Sequence, residues 1–407
     1  MNRGMLNRIV VFLICIFFNI LSASAQILEK ANNPIKTDAD IAVGASRTEL
    51  YLPLLKGKTV AIVGNHTSLI GKRHLVDSLL QAGIHIKILF SPEHGFRGNQ
   101  DAGQDINNSK DKLTGLPIIS LYGDHKKPAA KDLQGVDIVL FDLQDVGARF
   151  YTYLSTLHYV MQACAENKKK CILLDRPNPN GYYVDGPVME QKNESFVGLH
   201  PVPIVYGMTI GEYAEMINGE GWLGKNMKCD LTVIPLKGYS HLDLYQLPVP
   251  PSPNLPTMTA VYLYPSLCLF EGTVISVGRG TDYPFQVIGH PKLKDGSFSF
   301  TPQSRHGASD PLYKGQKCQG YDLREFGQIF IVNYKKLYLF WLSGTYKTFP
   351  DKASFFNNYF RSLSGNDSLE EQIKRGEAEE AIRAGWQAGL TRFKAIRKKY
   401  LLYTDFE

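Results

Sequence analysis

The sequence predicts an α/β fold, a doubly wound and mostly parallel sheet followed by a smaller α+β C-terminal domain. Three observations predict it. Apolar, β-branched runs alternate with helically spaced segments through the first half, the pattern of strands joined by crossover helices. A proline-rich stretch, Pro248-Val-Pro-Pro-Ser-Pro-Asn-Leu-Pro256, then breaks the pattern, because proline lacks the N–H that a helix or ladder needs. Beyond it the alternation gives way to short strands and closing helices.

The elements follow in order. Arg3 and Arg8 precede an apolar run over residues 9–21, and Ala23-Ser24-Ala25 offers a small-residue cleavage site before Gln26. That is an export-signal pattern over residues 1–25, too short for a membrane span and without a stop-transfer sequence. Cleaved there, the mature protein is expected in the periplasm or outside the cell with no stable membrane insertion; a retained N-terminal anchor is the alternative. Residues 59–63 form an apolar strand running into Gly64-Asn65-His66-Thr67. A helix follows, with Leu75, Val76, Leu79 and Leu80 on one face and Gly83 as its stop. Residues 84–90, 116–121 and 137–143 read as further strands. Residues 150–166 have helical spacing and lead to a strand at 171–174. Residues 203–205 read as another short strand. Thr209-Ile-Gly-Glu212 matches a capping box, opening a helix through Ile217. A strand at 231–234 closes this half.

Past the prolines, residues 262–277 mix a short helix and a strand. Residues 298–300 and 328–332 read as antiparallel strands. The longest helical segment covers 369–400, with a break near Gly376. The expected domains are residues 46–256 and 257–407.

Composition narrows the function. A hydrophobic content of 44% is that of a globular chain, and a formal charge of +6 on 407 residues is too mild to imply a nucleic-acid partner. Cys164, Cys171, Cys229, Cys268 and Cys318 are dispersed and contain no Cys-x-x-Cys, so they suggest neither a disulfide scaffold nor a zinc site. Cys164 and Cys171 are near enough in sequence to pair, but buried free thiols are the simpler expectation. No Gly-x-Gly-x-x-Gly, P-loop, His-Glu-x-x-His or Gly-x-Ser-x-Gly occurs. No cofactor and no metal are therefore expected.

Position carries the functional argument. Each strand of the first half runs into a polar cluster at its carboxyl end. The clusters are Asn65-His66-Thr67, Glu93-His94, Tyr122-Gly-Asp124, Asp142-Leu-Gln144-Asp145, Asp175-Arg176-Pro-Asn178 and Tyr206-Gly-Met-Thr209. In a parallel sheet all these ends share one edge, the edge where ligands bind. Polar loops alone would account for one or two such clusters.

Glu93 is the sharpest candidate. It follows the break at Ser91-Pro92, on a loop with His94, Gly95, Phe96 and Arg97. Packing beside Phe90, Pro92 and Phe96 would favour its neutral form and suit proton donation. The competing reading is a carboxylate paired to Arg97. His94 orients Glu93, contacts substrate or simply packs. Asp142 and Asp145 flank Gln144, one as a catalytic group and the other as a cap for the helix near Phe150. Arg149, Arg176 and Arg279 suit bidentate recognition of a carboxylate, unless they neutralise Asp142, Asp175 or Asp282. Gly278 and Gly280 free the backbone around Arg279 for close approach to a ligand. On the residues alone the chain reads as an exported hydrolase with an acidic cleft.

The chain resembles the exo-β-N-acetylmuramidase family of the NamZ type, formerly a domain of unknown function. The resemblance lies in Gly64-Asn-His-Thr67, Ser91-Pro-Glu-His-Gly-Phe-Arg-Gly98, and Asp142-Leu-Gln-Asp-Val-Gly-Ala-Arg149 with Tyr151-Thr-Tyr153. It continues in Asp175-Arg-Pro-Asn-Pro179, Pro253-Asn-Leu-Pro256, and Glu271-Gly-Thr273 with Gly278-Arg-Gly-Thr281. It implies a Rossmann-like domain, an auxiliary C-terminal domain and a deep cleft between them. It also implies release of terminal N-acetylmuramic acid from the non-reducing end of peptidoglycan fragments, so that the partner is a peptidoglycan-derived sugar or muropeptide.

On that reading Glu93 is the general acid. The charge developing on the sugar is met by a second carboxylate, with Asp142, Asp145 and Glu271 as candidates in that order, or by the substrate's own acetamido group. Arg149 or Arg279 binds the lactyl carboxylate. The remaining substrate contacts expected are Asn65, His66, Thr67, His94, Arg97, Gln144, Tyr151, Asp175, Arg176, Asn178, Tyr206 and Asn254. Two alternatives stand: a metal-dependent hydrolase using His66, His94, Asp142 and Asp145, and a wall-binding protein that cleaves nothing.

Overall fold

Parallel strands β1 (Thr59–Gly64), β2 (His85–Ser91), β3 (Pro117–Ser120), β4 (Ile138–Asp142), β5 (Lys170–Leu174) and β6 (Asp230–Ile234) build the first half of the chain. The computed structural model describes residues 35–93, 95–97 and 109–407, with the backbone alone for 330–332. The expected export signal and His94 lie outside the described residues. Across the sheet the strands run β6-β5-β4-β1-β2-β3, and the two-residue strand Ser109–Lys110 pairs antiparallel at the β3 edge. Val63 pairs with Phe90 on one side and Phe141 on the other. The connections leave in opposite directions from β1 and β4, so a crevice opens between their carboxyl ends. Every residue of Ile138–Asp142 is buried, which requires cover on both faces of the sheet.

Helices supply that cover: α1 (Thr48–Leu55), α2 (Leu75–Gln81), α3 (Tyr153–Glu166) and α4 (Ile210–Gly219). The capping box of α4 is present. Thr209 Oγ1 accepts from the Glu212 N–H at 3.2 Å, and Glu212 Oε2 accepts from the Thr209 N–H at 2.9 Å. The helix expected from Phe150 begins instead at Tyr153. Asp145 caps no helix; it accepts from the Gly147 N–H at 2.6 Å.

The expected strand at 203–205 is absent. Val205 makes isolated bridges to Asp185 and Ala148, and Pro203 has no N–H to extend them.

After the prolines comes α5 (Met258–Leu267), then a 3₁₀ turn, Cys268–Gly272. No strand forms between residues 262 and 277. Pro265 sits inside α5 and withholds the bond that Val261 O would accept. Asn180 supplies it, with Nδ2 donating to Val261 O at 3.1 Å and to Val146 O at 2.8 Å. One amide therefore clamps α5 to the loop after β4.

Strands β7 (Val287–His290), β8 (Phe298–Phe300) and β9 (Cys318–Asp322) form an antiparallel sheet in the order β7-β9-β8. The strand expected at 328–332 is helical, inside α6 (Arg324–Tyr334). A short apolar run does not by periodicity distinguish strand from helix.

Helices α7 (Phe340–Thr348), α8 (Tyr359–Ser364), α9 (Ser368–Lys374) and α10 (Glu379–Arg397) close the chain. The break between α9 and α10 contains Gly376 at φ +70°. Ile382, Trp386, Leu390 and Phe393 form the buried stripe of α10. Residues 36–407 pack as one unit. Among the described residues no helix is long and apolar enough to cross a membrane.

Candidate active site

Strand β2 ends at Ser91 because Pro92 cannot extend the ladder, and Glu93 follows at once. Gly95, at φ +77°, turns its N–H back onto Pro92 O. Glu93 is thereby held at the sheet's carboxyl edge, on the wall of a cavity of about 380 Å³. Tyr151 and Thr152, after β4, line the same cavity. The second half of the chain adds Glu271, Arg279, Tyr264, Cys268 and Tyr359 to the same lining.

Aromatic rings bridge the halves. Tyr151 packs edge-on to Tyr153 at 4.7 Å and to Tyr264 at 6.0 Å, and Tyr264 meets Phe285 at 5.0 Å. The Arg279 guanidinium lies 5.2 Å from the Phe285 ring centre. Two hydrogen bonds fix this wall. Asn65 Nδ2 donates to Tyr153 Oη at 2.7 Å, and Tyr151 Oη donates to Pro251 O at 2.9 Å.

Burial raises the Tyr151 and Tyr153 hydroxyls well above their ordinary range, and the Glu93 and Asp145 charges add to this. The Tyr359 hydroxyl is raised by desolvation, then by Cys268, Glu271, Glu93 and Tyr122 around it. Both glutamates thus act on one phenol.

Glu271 is held on both oxygens. Arg279 Nε donates to Oε1 at 2.7 Å, and the Cys268 thiol donates to Oε2 at 3.5 Å. Burial and the Glu271 charge push the thiol well above its usual range, so it remains a donor. A polar, paired carboxylate and a second carboxyl in the same cavity can divide acid and charge-stabilising work between them.

The cavity brings together Glu93, Tyr151, Asn254, Glu271 and Arg279 of the residues expected from sequence. Several others are consumed beneath it, and these expectations are corrected. Asp142 is fully buried and clamped by Arg176, whose Nε and Nη2 reach its two oxygens at 2.5 and 2.8 Å. Neither side chain can meet a substrate. Asp145 is buried and accepts from the Tyr206 hydroxyl, which is buried with it. Burial lifts the Asp145 carboxyl to about 6, against the pull of that bond. Arg149 is also enclosed. It donates to Pro187 O, Val202 O and Leu363 O at 3.2, 3.0 and 2.6 Å, so it binds backbone rather than a lactyl group.

Asp175 accepts from the hydroxyls of Thr209 at 2.7 Å and Tyr403 at 2.6 Å, while Asn178 Nδ2 donates to Met208 O at 2.7 Å. Gln144 Nε2 donates to Pro177 O at 2.7 Å, and Thr67 Oγ1 donates to Asn65 Oδ1 at 2.6 Å. His66 Nε2 sits 2.8 Å from Pro250 O, pinning the proline-rich stretch. Arg97 is paired with Asp111 and Asp77, at 2.8 and 3.2 Å. Cys164, Cys171, Cys229, Cys268 and Cys318 are free and buried.

Sequence reasoning missed Tyr264, Cys268, Phe285 and Tyr359 as cavity walls. Tyr264 and Cys268 precede Glu271 on one helical run, a spacing that could have flagged them; Tyr359 carries no local signal.

The chain matches family models along most of its length. The model described as "Exo-beta-N-acetylmuramidase NamZ, N-terminal" matches residues 60–259, and its C-terminal counterpart matches residues 262–403. The chain is 37% identical over 380 residues to the "Peptidoglycan beta-N-acetylmuramidase NamZ" of Bacillus subtilis (strain 168), covering 87% of this chain and 89% of that protein. Two crystal structures of DUF1343 family proteins from Bacteroides fragilis NCTC 9343 are similar in fold. One is 46% identical with a TM-score of 0.84, the other 29% identical with 0.76; each comparison covers 90% of this chain and 99% of the other.

Proposed function

The chain belongs to the NamZ exo-β-N-acetylmuramidase family, and on that premise we propose that it is a glycoside hydrolase of peptidoglycan fragments that removes N-acetylmuramic acid from the non-reducing end. The observation that carries this reading is that Glu93 and Glu271, from the two halves of the chain, line one cavity of about 380 Å³. That volume is at the small end of the range for small-molecule sites, about 300–1,000 Å³, and suits one terminal sugar rather than a chain passing through.

Glu93 gives its proton to the glycosidic oxygen as the bond to the anomeric carbon breaks, and the leaving sugar departs as an alcohol. Positive charge then builds on the ring. Glu271, fixed by Arg279 and Cys268, either stabilises that charge or orients the substrate's acetamido group. Water completes the exchange. Arg279 uses Nε on Glu271, and its terminal nitrogens receive the lactyl carboxylate. Tyr151 and Asn254 complete the walls around the sugar. The pattern of residues 1–25 supports export, placing this activity outside the cytoplasm.

The experiment is product analysis after incubation with defined wall fragments. Free N-acetylmuramic acid from fragments that begin with it supports the reading. Disaccharides released from internal positions contradict the exo mode, and no released sugar at all contradicts hydrolysis.

A further inference from the structure

A second cavity, of about 470 Å³, opens beside the first. Asn254 lines both. The chain from Arg279 to Asp282 divides them: Arg279 faces the first, while Gly280, Thr281 and Asp282 line the second. Consecutive Cα atoms stand about 3.8 Å apart, so walls one to three residues apart make the cavities immediate neighbours.

The outer wall is a small hairpin in which Arg305 and Ala308 exchange backbone hydrogen bonds at 3.0 and 2.9 Å. It is locked in place. Asn254 Nδ2 donates to Gly307 O at 2.8 Å, and a Cβ at Gly307 would lie 2.5 Å from Pro253 Cβ. Gly307 is at φ +81°, a second reason for glycine there. Arg305 pairs with Asp282 across the opening. Both side chains are well exposed, at 46% and 67%.

This reading rests on the proposed hydrolase. We propose that the second cavity is the subsite for the leaving sugar. Its lining joins proline rings, which offer apolar faces to the C–H face of a pyranose, with an ion pair that supplies donors and acceptors to hydroxyl and acetamido groups. Because the Arg305 charge is balanced by Asp282, the cavity favours a neutral, hydroxyl-rich ligand over a charged peptide stem. Asn254, shared by the two cavities, lies at the boundary between them.

The test compares two substrates of the full chain. One is the disaccharide of N-acetylmuramic acid linked to N-acetylglucosamine; the other is an aryl glycoside of N-acetylmuramic acid, which has no sugar on its leaving side. Arg305→Ala should lower the ratio of kcat/KM for the disaccharide to that for the aryl glycoside by about tenfold, the effect of one lost charged hydrogen bond. Asp282→Ala should move the ratio in the same direction. An unchanged ratio in both variants overturns the subsite. A fall confined to fragments bearing a peptide reassigns the cavity to the stem and also overturns it. Failure of the wild-type protein to cleave either substrate overturns the hydrolase reading itself, and the subsite with it.

Discussion

Arg149, on the loop after β4, donates through Nη2 to the carbonyl of Leu363 at 2.6 Å, joining the strand edge to α8 in the second half of the chain. Gly365 makes room for it. At φ +76° that position favours glycine, and a Cβ there would fall 2.6 Å from Arg149 Nη2. Burial pushes the guanidinium down to about 10, which still leaves it charged at neutral pH.

Arg149→Met should therefore act on folding. It removes three charged hydrogen bonds to buried carbonyls, of which Val202 O keeps the Met189 N–H, and each such bond lost costs about 1.5–3 kcal/mol. Urea denaturation should show a loss of more than about 3 kcal/mol, with KM unchanged in the molecules that remain folded. A stable variant whose KM rises only for substrates with a lactyl carboxylate would return Arg149 to the binding site.

The Asp142–Arg176 pair lies wholly inside the protein. Removing one partner leaves an uncompensated buried charge, so Arg176→Met should destabilise by about 3–5 kcal/mol. The double change to apolar residues of similar size should recover much of that. Equal losses in the single and double variants would show that the pair adds nothing beyond its packing.

Asp175 has an unusual dependence on pH. Burial and the nearby Glu212 charge lift its carboxyl to about 7, although Tyr403 and Thr209 donate to it. The folded protein then holds a proton that the unfolded chain has released, from about pH 4, the ordinary carboxylate value, upward. That contribution to stability is complete at low pH and is lost as pH rises through about 7. Burial holds His158 down at about 4, and its contribution runs the other way. The difference between wild type and Asp175→Asn isolates the carboxyl. In melting curves the wild type should lose stability relative to Asp175→Asn between about pH 4 and 7. A constant difference would contradict this.

Glu271→Gln should slow hydrolysis without unfolding the protein, since Glu271 sits on the cavity wall rather than in the core. Arg279→Met should raise KM for the muramic acid glycoside and also lower kcat, because Arg279 steadies Glu271 and, on the proposed reading, receives the lactyl group. Retention of full kcat in both variants would remove Glu271 from the chemistry.

The parallel strands and their polar carboxyl ends were legible because each is encoded locally. The run Ile138–Asp142 is continuously apolar since both faces are covered, and the break at Pro92 marks where a strand must stop. What the sequence did not reveal is which polar residues satisfy one another. Asp142 finds Arg176, Asp145 finds Tyr206 and Asp175 finds Tyr403 across long separations that no spacing records. The same clusters that signalled a site are therefore partly its foundation. Glu271 lies past the prolines, away from the sheet edge; only the folded chain brings it into one cavity with Glu93. The strand expected at 328–332 failed for another reason: so short an apolar run has no periodicity to separate strand from helix, and these residues lie within α6.

In the proposed mechanism Glu93 delivers a proton to the glycosidic oxygen. The decisive measurement is steady-state turnover of an N-acetylmuramic acid glycoside by Glu93→Gln. A fall in kcat of about 10²–10⁴-fold is expected, the usual contribution of a general acid, with the melting temperature little changed. Turnover near the wild-type rate by the folded variant would contradict it.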